Sequence, residues 1–530
     1  MRTPPGVSEA DFTKALRQFA AAIGPQWVFT SDEDLTTYKD AYSPLWGEPD
    51  EKVASAALAP DSVQGVREIV TIANRYSIPL YTISTGRNLA YGGSAPVYSG
   101  SVVLDLIRMN RILEVSEENA YALVEPGVSY YDLYRYIREQ GIRLWIDCPD
   151  PGWGSLVGNA LDHGAGLTLL PYKDHFNAHC GMEVVLANGD VVRTGMGALP
   201  ESKLWQQTKY GAGPLIDGMF SQSNFGIVTK MGFWLMPEPE ASLSGCIRVP
   251  RHDDVIPLVR ILSSLMYSNL VNCYLSVMSP VFSGPEDARK GMLWDKPDGG
   301  SAADWDSYAA SRNSHFWETT LRFYGPDGVI AAQWDYVKKR FSAIEGAKFD
   351  DGEMIQFPLT DEQIKTTGHP SLFGIPSLNV FSGLSMQKGV TGHLDASVVV
   401  PLSGKEILKA TRVFARVFRE AGLEHSFGYA EHYHTRTFIM FQGMSLTQDK
   451  EHNARIRTTY EEVVKAATEN GWGIYRTHIA YMDKVMRTYS YNNNALTRLH
   501  EILKDAMDPN GILSAGRYGI WPKRLRRNRG

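Results

Sequence analysis

The sequence predicts an α+β protein of two domains. Three observations carry this. At 530 residues the chain exceeds one ordinary domain. Apolar stripes at helical spacing alternate irregularly with short strand-like runs, without the regular strand–helix–strand repeat of a doubly wound sheet. Near residue 240 the texture changes. Glycine-dense stretches come before it, strands and helices with few glycine-rich loops come after it, and the linker-like Pro237-Glu-Pro-Glu240 lies between.

Phe12, Leu16, Phe19 and Ala20 form one stripe of a helix over residues 9–22. Ser62 caps a second helix, on which Val63, Val66, Ile69, Val70 and Ala73 recur at helical spacing. The apolar run Ile78 to Ile83 then reads as a strand, and Ser101 to Leu106 as another. Between them lies Ile83-Ser-Thr-Gly-Arg-Asn-Leu-Ala-Tyr-Gly-Gly93. Its glycines permit positive φ and close backbone approach, which suits a tight turn or a phosphate-cradling loop equally. No helix follows it, so it is not the dinucleotide fingerprint. Strands at 112–115 and 121–127 lead to a helix capped by Ser129 and running to Gln140.

Residues 141–195 are rich in glycine and polar groups. The prolines and glycines of Ile146 to Gly154 force turns. Val157-Gly-Asn-Ala160 is a second place where backbone can sit against a ligand. Asn188-Gly189 between two apolar runs predicts a hairpin. Residues 231–237 form another strand. In the middle region helices are expected at 253–267, 329–345, 404–420 and 451–469, and a surface loop at 284–306. Residues 494–506 form the last helix, before the turn Asp508-Pro-Asn-Gly511.

Composition excludes several classes. A net charge of −6 and a pI near 6.1 give no reason to expect nucleic acid. The one basic cluster, Lys523 to Arg529, reads as a solvated end. No apolar run reaches membrane-spanning length, and the start lacks a signal-peptide core. Four cysteines without CxxC spacing fit neither a disulfide framework nor a zinc site, and a cytoplasmic setting is expected. His432 and His434 share a face if their segment is a strand, which is half a metal site at most, and no metal is expected. By pattern alone His393 is one histidine among 13, and Tyr475-Arg476 is an aromatic–cation pair at a strand end. No nucleophile elbow, Walker loop or kinase set is present, so hydrolase and phosphotransferase readings lack support.

Taken together, Ile83 to Asn88 with Tyr91-Gly-Gly93, Glu125-Pro-Gly127, Asp147-Cys-Pro-Asp150, Val157-Gly-Asn159, Gly181 to Gly189, Arg193 to Pro200, Tyr475-Arg-Thr-His478 and Asp508 to Gly511 are specific. Through them the chain resembles the vanillyl-alcohol oxidase / p-cresol methylhydroxylase flavoproteins over nearly its whole length. The resemblance implies a two-domain FAD-binding fold. Residues 1–240 with the returning segment 472–530 would bind FAD, and 241–471 would form an antiparallel-sheet cap. Ser84, Thr85, Gly86, Arg87 and Asn88, with Gly158 and Asn159, would hold the FAD pyrophosphate. His393 matches the histidine that bonds covalently to the flavin in the oxidase branch. Leu378 to Ser382 offers no tyrosine where the cresol hydroxylase branch has its linking residue. Tyr91, Tyr475 and Arg476 match the phenolate-binding trio, and Asp150 the acid near flavin N5.

The implied activity is oxidation of 4-alkylphenols, 4-allylphenols or 4-hydroxybenzylic alcohols. Hydride leaves the para side-chain carbon for FAD and gives a p-quinone methide, and dioxygen becomes hydrogen peroxide. A dehydrogenase of the same fold that passes electrons to a cytochrome is the alternative. A homodimer or larger assembly is also implied. Ionising a phenol of pKa near 10 at neutral pH costs about 4 kcal/mol, and two tyrosine hydroxyls with one guanidinium, at roughly 1.5–3 kcal/mol each, offset it. The chain departs from the family around the substrate. Leu167 replaces a tyrosine, the loop 168–173 looks longer than usual, His432-Tyr433 replaces a Met-His pair, and Asp395 replaces an apolar or aromatic residue.

Overall fold

The computed structural model describes residues 2–282, 299–381, 389–423, 428–434 and 436–526. Most of the predicted loop 284–306, Ser382 of the linking-residue comparison and the last of the basic tail lie outside the described residues.

The N-terminal part holds two larger sheets and a two-stranded one, Leu144–Trp145 with Met236–Pro237. In the first the order is Val28–Phe29, Ala56–Leu58, Val102–Asp105, Leu80–Ile83; the last three run parallel. The helix Val63–Tyr76 therefore connects two parallel strands of one sheet, Ala56–Leu58 and Leu80–Ile83. That unit was absent from the expectation because three residues, Ala-Ala-Leu, are too short to show a period. Helices Glu9–Ile23 and Val63–Tyr76 bury Phe12, Phe19, Val66, Ile69 and Val70 against this sheet. Ser62 Oγ caps the second by accepting from Gly65 N. The second sheet is antiparallel, in the order Ile112–Ser116, Tyr121–Val124, Ile227–Trp234, His179–Val185, Val191–Arg193. The chain end returns to the first sheet, where Leu80 N donates to Ile512 O at 2.7 Å and Ser514 N to Leu80 O at 2.8 Å.

The middle of the chain builds one antiparallel sheet of eight strands, with Gly473–Ile474 as its last. Helices Val255–Tyr267, Asp327–Phe341, Gly404–Glu420 and Lys450–Glu469 pack on one side of it. Within Gly404–Glu420, Ile407, Thr411, Phe414 and Phe418 are buried at helical spacing.

The register decides what the other side carries. On the strand Val390–Pro401, Leu394, Ala396, Val398 and Val400 enter the core, so His393, Asp395 and Ser397 point the opposite way. Their partners on Thr437–Thr447 are Ser445, Gly443 and Phe441. Ile439 is paired with Glu431, and Glu431 with Ser276, so Glu431 shares that face.

Several short helices, Leu156–Leu161 and Met482–Arg487 among them, were unforeseen, and so was one of ten residues. Ala302–Ser311 occupies the end of the predicted loop 284–306. Ser301 and Asp304 form a capping box, and Trp305 and Ala309 are buried, which outweighs the Gly-, Asp- and Pro-rich composition nearby. The helix expected at 494–506 spans Tyr491–Met507, with Asn492 to Asn494 in left-handed backbone at its start, and a short helix Lys523–Arg526 follows. Among the described residues no helix is long and apolar enough to cross a membrane.

Candidate active site

A cleft of ≈ 1080 Å³ opens above the ends of the first sheet. Residues 81–88 and 91, the segment 154–162, and Ser514 and Arg517 of the returning chain end line it. Its floor is the loop after Leu80–Ile83. The backbone N–H groups of Ser84 to Asn88 donate to no carbonyl of the chain among the described residues. Gly86 has φ +67°, and a Cβ there would collide with Ser94 Oγ. Ser84 comes so close to the helix Leu156–Leu161 that a Cβ on Gly158 would collide with its hydroxyl. Arg87 donates to Trp153 O at 2.9 Å and closes one side. A row of free N–H donors in a concave loop is an anion cradle. Gly158 and Asn159 already use their own N–H groups within the helix turn. Gly158 N already donates to Ser155 Oγ at 3.0 Å, and Asn159 N to Ser155 O at 3.0 Å. Asn159 Oδ1 accepts from Tyr130 OH at 3.3 Å, with His175 Nδ1 also against it. These two residues shape the cleft, and the open donors come from 84–88.

At one end of the cleft Tyr91 meets the cap sheet. Its hydroxyl lies 3.0 Å from Ser397 Oγ. The Arg476 guanidinium lies 4.0 Å over the Tyr91 ring and 5.5 Å from the Tyr475 ring centre. Tyr475 N donates to Ser397 O at 2.8 Å, which extends the edge of the cap sheet by one residue. Arg476 is not a solvated cation: its side chain is 15% exposed, and its buried Nε has no partner among the described residues. Asp162 collects this end of the site. It accepts from Asn88 Nδ2 at 2.8 Å, Tyr518 OH at 3.1 Å and Arg517 Nη2 at 3.3 Å, and sits 3.8 Å from Arg476 Nη1.

The electrostatics follow. Burial pushes the Tyr91 hydroxyl up, more than Arg476 pulls it down, and it pushes Tyr475 well up in the same way. Both stay protonated and can donate. Burial works against the Arg476 charge, but Asp162 at 3.8 Å opposes it, and a guanidinium keeps its proton. The result is one cation and two neutral donors converging beside the cleft.

His393 and Asp150 stand apart from that trio. His393 lies four residues before Ser397 on the same sheet face; its Nε2 is 3.2 Å from Asp395 Oδ2, and Tyr42 packs edge-on at 5.1 Å. Asp150 is exposed on the turn 147–154, and no contact among the described residues joins it to Tyr91, Tyr475 or Arg476. Partial desolvation pushes its carboxyl up, against the Val380 N–H and the charge of His369. The turn is anchored by Asp147, which accepts from Thr168 N at 2.8 Å and lies 2.8 Å from His175 Nε2.

Leu167 is half-buried beside Thr168, whose carbonyl accepts from Tyr274 N at 2.7 Å. His432 is not where the sequence put it. It is opposite Leu275, on the core face, fully buried, with Nδ1 2.8 Å from Lys173 Nζ. The strand alternation instead turns Glu431 and Tyr433 to the site side, where Tyr433 OH donates to Glu431 at 2.6 Å and Tyr274 OH at 2.5 Å. His434 pairs with Asp174 Oδ2 at 3.1 Å and packs 5.4 Å from the Tyr475 ring, so the two histidines serve separate partners. Asp162, Arg517 and Glu431 had no pattern to announce them. Ser397 did have one, the two-residue period from His393.

Two family models match the chain: an FAD binding domain over residues 54–195, and the C-terminal domain of FAD linked oxidases over residues 387–518. The 4-cresol dehydrogenase (hydroxylating) flavoprotein subunit of Pseudomonas putida is 33% identical, over 98% of this chain and 97% of that one. The chain belongs to the vanillyl-alcohol oxidase / p-cresol methylhydroxylase family. Solved structures agree. A 4-ethylphenol oxidase from Gulosibacter chungangensis in complex with isoeugenol is 35% identical with a TM-score of 0.85, covering 99% of this chain and all of that one. p-Cresol methylhydroxylase with substrate bound is 32% identical with a TM-score of 0.85, covering 98% and 99%. The protein is thus an FAD-linked oxidoreductase, with the family's α+β FAD-binding fold and antiparallel-sheet cap. The cleft fits the cofactor: open N–H donors for its phosphates, on a loop that Gly86 and Gly158 let pack tightly against Ser94 and the helix Leu156–Leu161.

Proposed function

We propose that the protein oxidises para-substituted phenols (4-alkylphenols, 4-allylphenols and 4-hydroxybenzylic alcohols) with dioxygen as electron acceptor. The observation that carries this is the buried convergence of Arg476 with Tyr91 and Tyr475 at the end of the FAD cleft. When bound, FAD supplies a hydride acceptor. Arg476 and the two tyrosine hydroxyls hold the substrate as its phenolate, offsetting an ionisation cost of about 4 kcal/mol. The phenolate charge flows toward the para carbon and releases hydride from the para side chain, leaving a p-quinone methide. Asp150, with its raised carboxyl, takes the hydroxyl proton of an alcohol substrate or orients the water that adds. Leu167 gives this part of the pocket an apolar wall. His393 is the attachment point for a covalently held flavin. We place the FAD-binding part at 1–240 with 472–530, and the cap at 241–471. All four cysteines are unpaired, which supports a cytoplasmic setting.

A second reading is a dehydrogenase that hands electrons to a cytochrome; identity to the 4-cresol dehydrogenase subunit favours it. Protein reduced with 4-ethylphenol and mixed with air-saturated buffer in a stopped-flow cell separates the two. The oxidase reading expects reoxidation fast enough to sustain turnover, with one peroxide per substrate. Reduced flavin that persists in air sinks it. No flavin reduction by any 4-alkylphenol sinks both.

A further inference from the structure

His393 and Asp395 form a pair that the phenol chemistry does not use. They are two residues apart on one strand, on the face turned to the site, with His393 Nε2 3.2 Å from Asp395 Oδ2. Their side chains are 22% and 20% exposed, so the pair is neither sealed in the core nor freely solvated. Gly443 stands opposite Asp395, and a Cβ there would approach Asp395 Oδ1 to 3.1 Å. The other ring nitrogen, Nδ1 of His393, is buried and has no partner among the described residues. Tyr42 packs on the ring, and Gly392 makes room for it, since a Cβ at 392 would come 2.7 Å from the Tyr42 ring.

We infer that Asp395 is the proton acceptor for covalent attachment of FAD to His393. The inference rests on the reading that His393 carries the flavin. Nδ1 is enclosed, so Nε2 is the ring nitrogen within reach of a ligand. A proton on Nδ1 would be a buried donor without an acceptor, which costs about 1–3 kcal/mol. The neutral ring therefore keeps its proton on Nε2, pointed at Asp395. A protonated Nε2 has no lone pair to bond with, so its proton must leave as the bond forms, and Asp395 is in place to take it. Burial works against a charged His393, yet the Asp395 bond and charge outweigh it and raise the imidazole.

The step balances. The Nε2–H bond and one C–H bond of the flavin 8α-methyl break, and the Nε2–C8α bond forms. The first proton goes to Asp395 and the second to water. The two electrons released reduce the flavin ring and pass to dioxygen, giving peroxide.

Apoprotein is mixed with FAD, and attachment is followed by the flavin that stays with acid-precipitated protein and by the intact mass. The expected result is a rate at least tenfold lower in Asp395→Asn, recovery in Asp395→Glu, and flavin still bound reversibly in the Asn variant, read by fluorescence quenching. A residue that merely supports the fold would lower reversible binding together with attachment. Asp395→Asn attaching at the wild-type rate overturns the role of Asp395 and leaves His393 intact. Acid release of all flavin from the wild type, or retention in His393→Ala, overturns the His393 reading and this inference with it.

Discussion

Arg476 concentrates most of the site's electrostatics. It is buried, charged, and flanked by two aromatic rings whose hydroxyls remain protonated. A charge-assisted hydrogen bond to a phenolate contributes roughly 1.5–3 kcal/mol, so Arg476→Met is expected to lower kcat/KM for 4-ethylphenol about 10- to 150-fold. Peroxide-coupled kinetics measure this, and an unchanged value would place the phenolate elsewhere. Tyr475-Arg476 was visible in the sequence as an aromatic–cation pair, but pattern favoured a solvated arginine. Burial decided otherwise, because Asp162 and Tyr91, from two distant parts of the chain, join the neighbouring Tyr475 around the guanidinium. Asp162 was invisible for the same reason: its partners Asn88, Arg476, Arg517 and Tyr518 are neighbours only after folding.

The loop from Ser84 to Gly93 shows how much one element can announce. Its glycines predicted close backbone approach, and the structure puts Gly86 at φ +67° with Ser94 against it. Left-handed backbone with a Cβ costs roughly 1–2 kcal/mol, and here the collision with Ser94 Oγ adds to it. Gly86→Ala should therefore weaken reversible FAD binding about tenfold or more, measured by flavin fluorescence in a His393→Ala background. Unaltered affinity would mean that the loop does not cradle the cofactor. Helices with a long apolar stripe were legible within a few residues, as at Val63–Tyr76 and Gly404–Glu420. Ala302–Ser311 was not, because composition weighed more than its capping box. His432 was misplaced because the sequence showed alternation without showing which half faces the core.

At the scale of the molecule, Lys173 ties the loop 164–175 to the cap sheet. Its buried amino group lies 2.8 Å from Cys273 O, 2.8 Å from His432 Nδ1 and 2.9 Å from His432 O. Burial pulls its pKa from 10.5 down to about 7. A lowered lysine stabilises the fold above its unfolded pKa and loses that contribution as pH falls toward the folded value. Between those limits the unfolded chain gains a proton that the folded chain refuses, at about 1.4 kcal/mol per pH unit. From pH 9 to 7.5 the wild type should lose about 2 kcal/mol more stability than Lys173→Met. Denaturant unfolding of both proteins across that range checks the slope, and parallel curves would show that Lys173 stays charged inside.

The sequence by itself determined the α+β class, most of the long helices, the glycine loop and, through motifs spread along the whole chain, the flavoprotein family. These are legible because period, capping and local motif are written in neighbouring residues. Tertiary structure decided what the residues of the site do to one another. Only folding brings Arg476 over Tyr91, gathers four partners on Asp162, aims His393 Nε2 at Asp395, and turns Glu431 rather than His432 toward the site. Each depends on strand register and on how much water is excluded, and both are set by contacts between parts of the chain far apart in sequence.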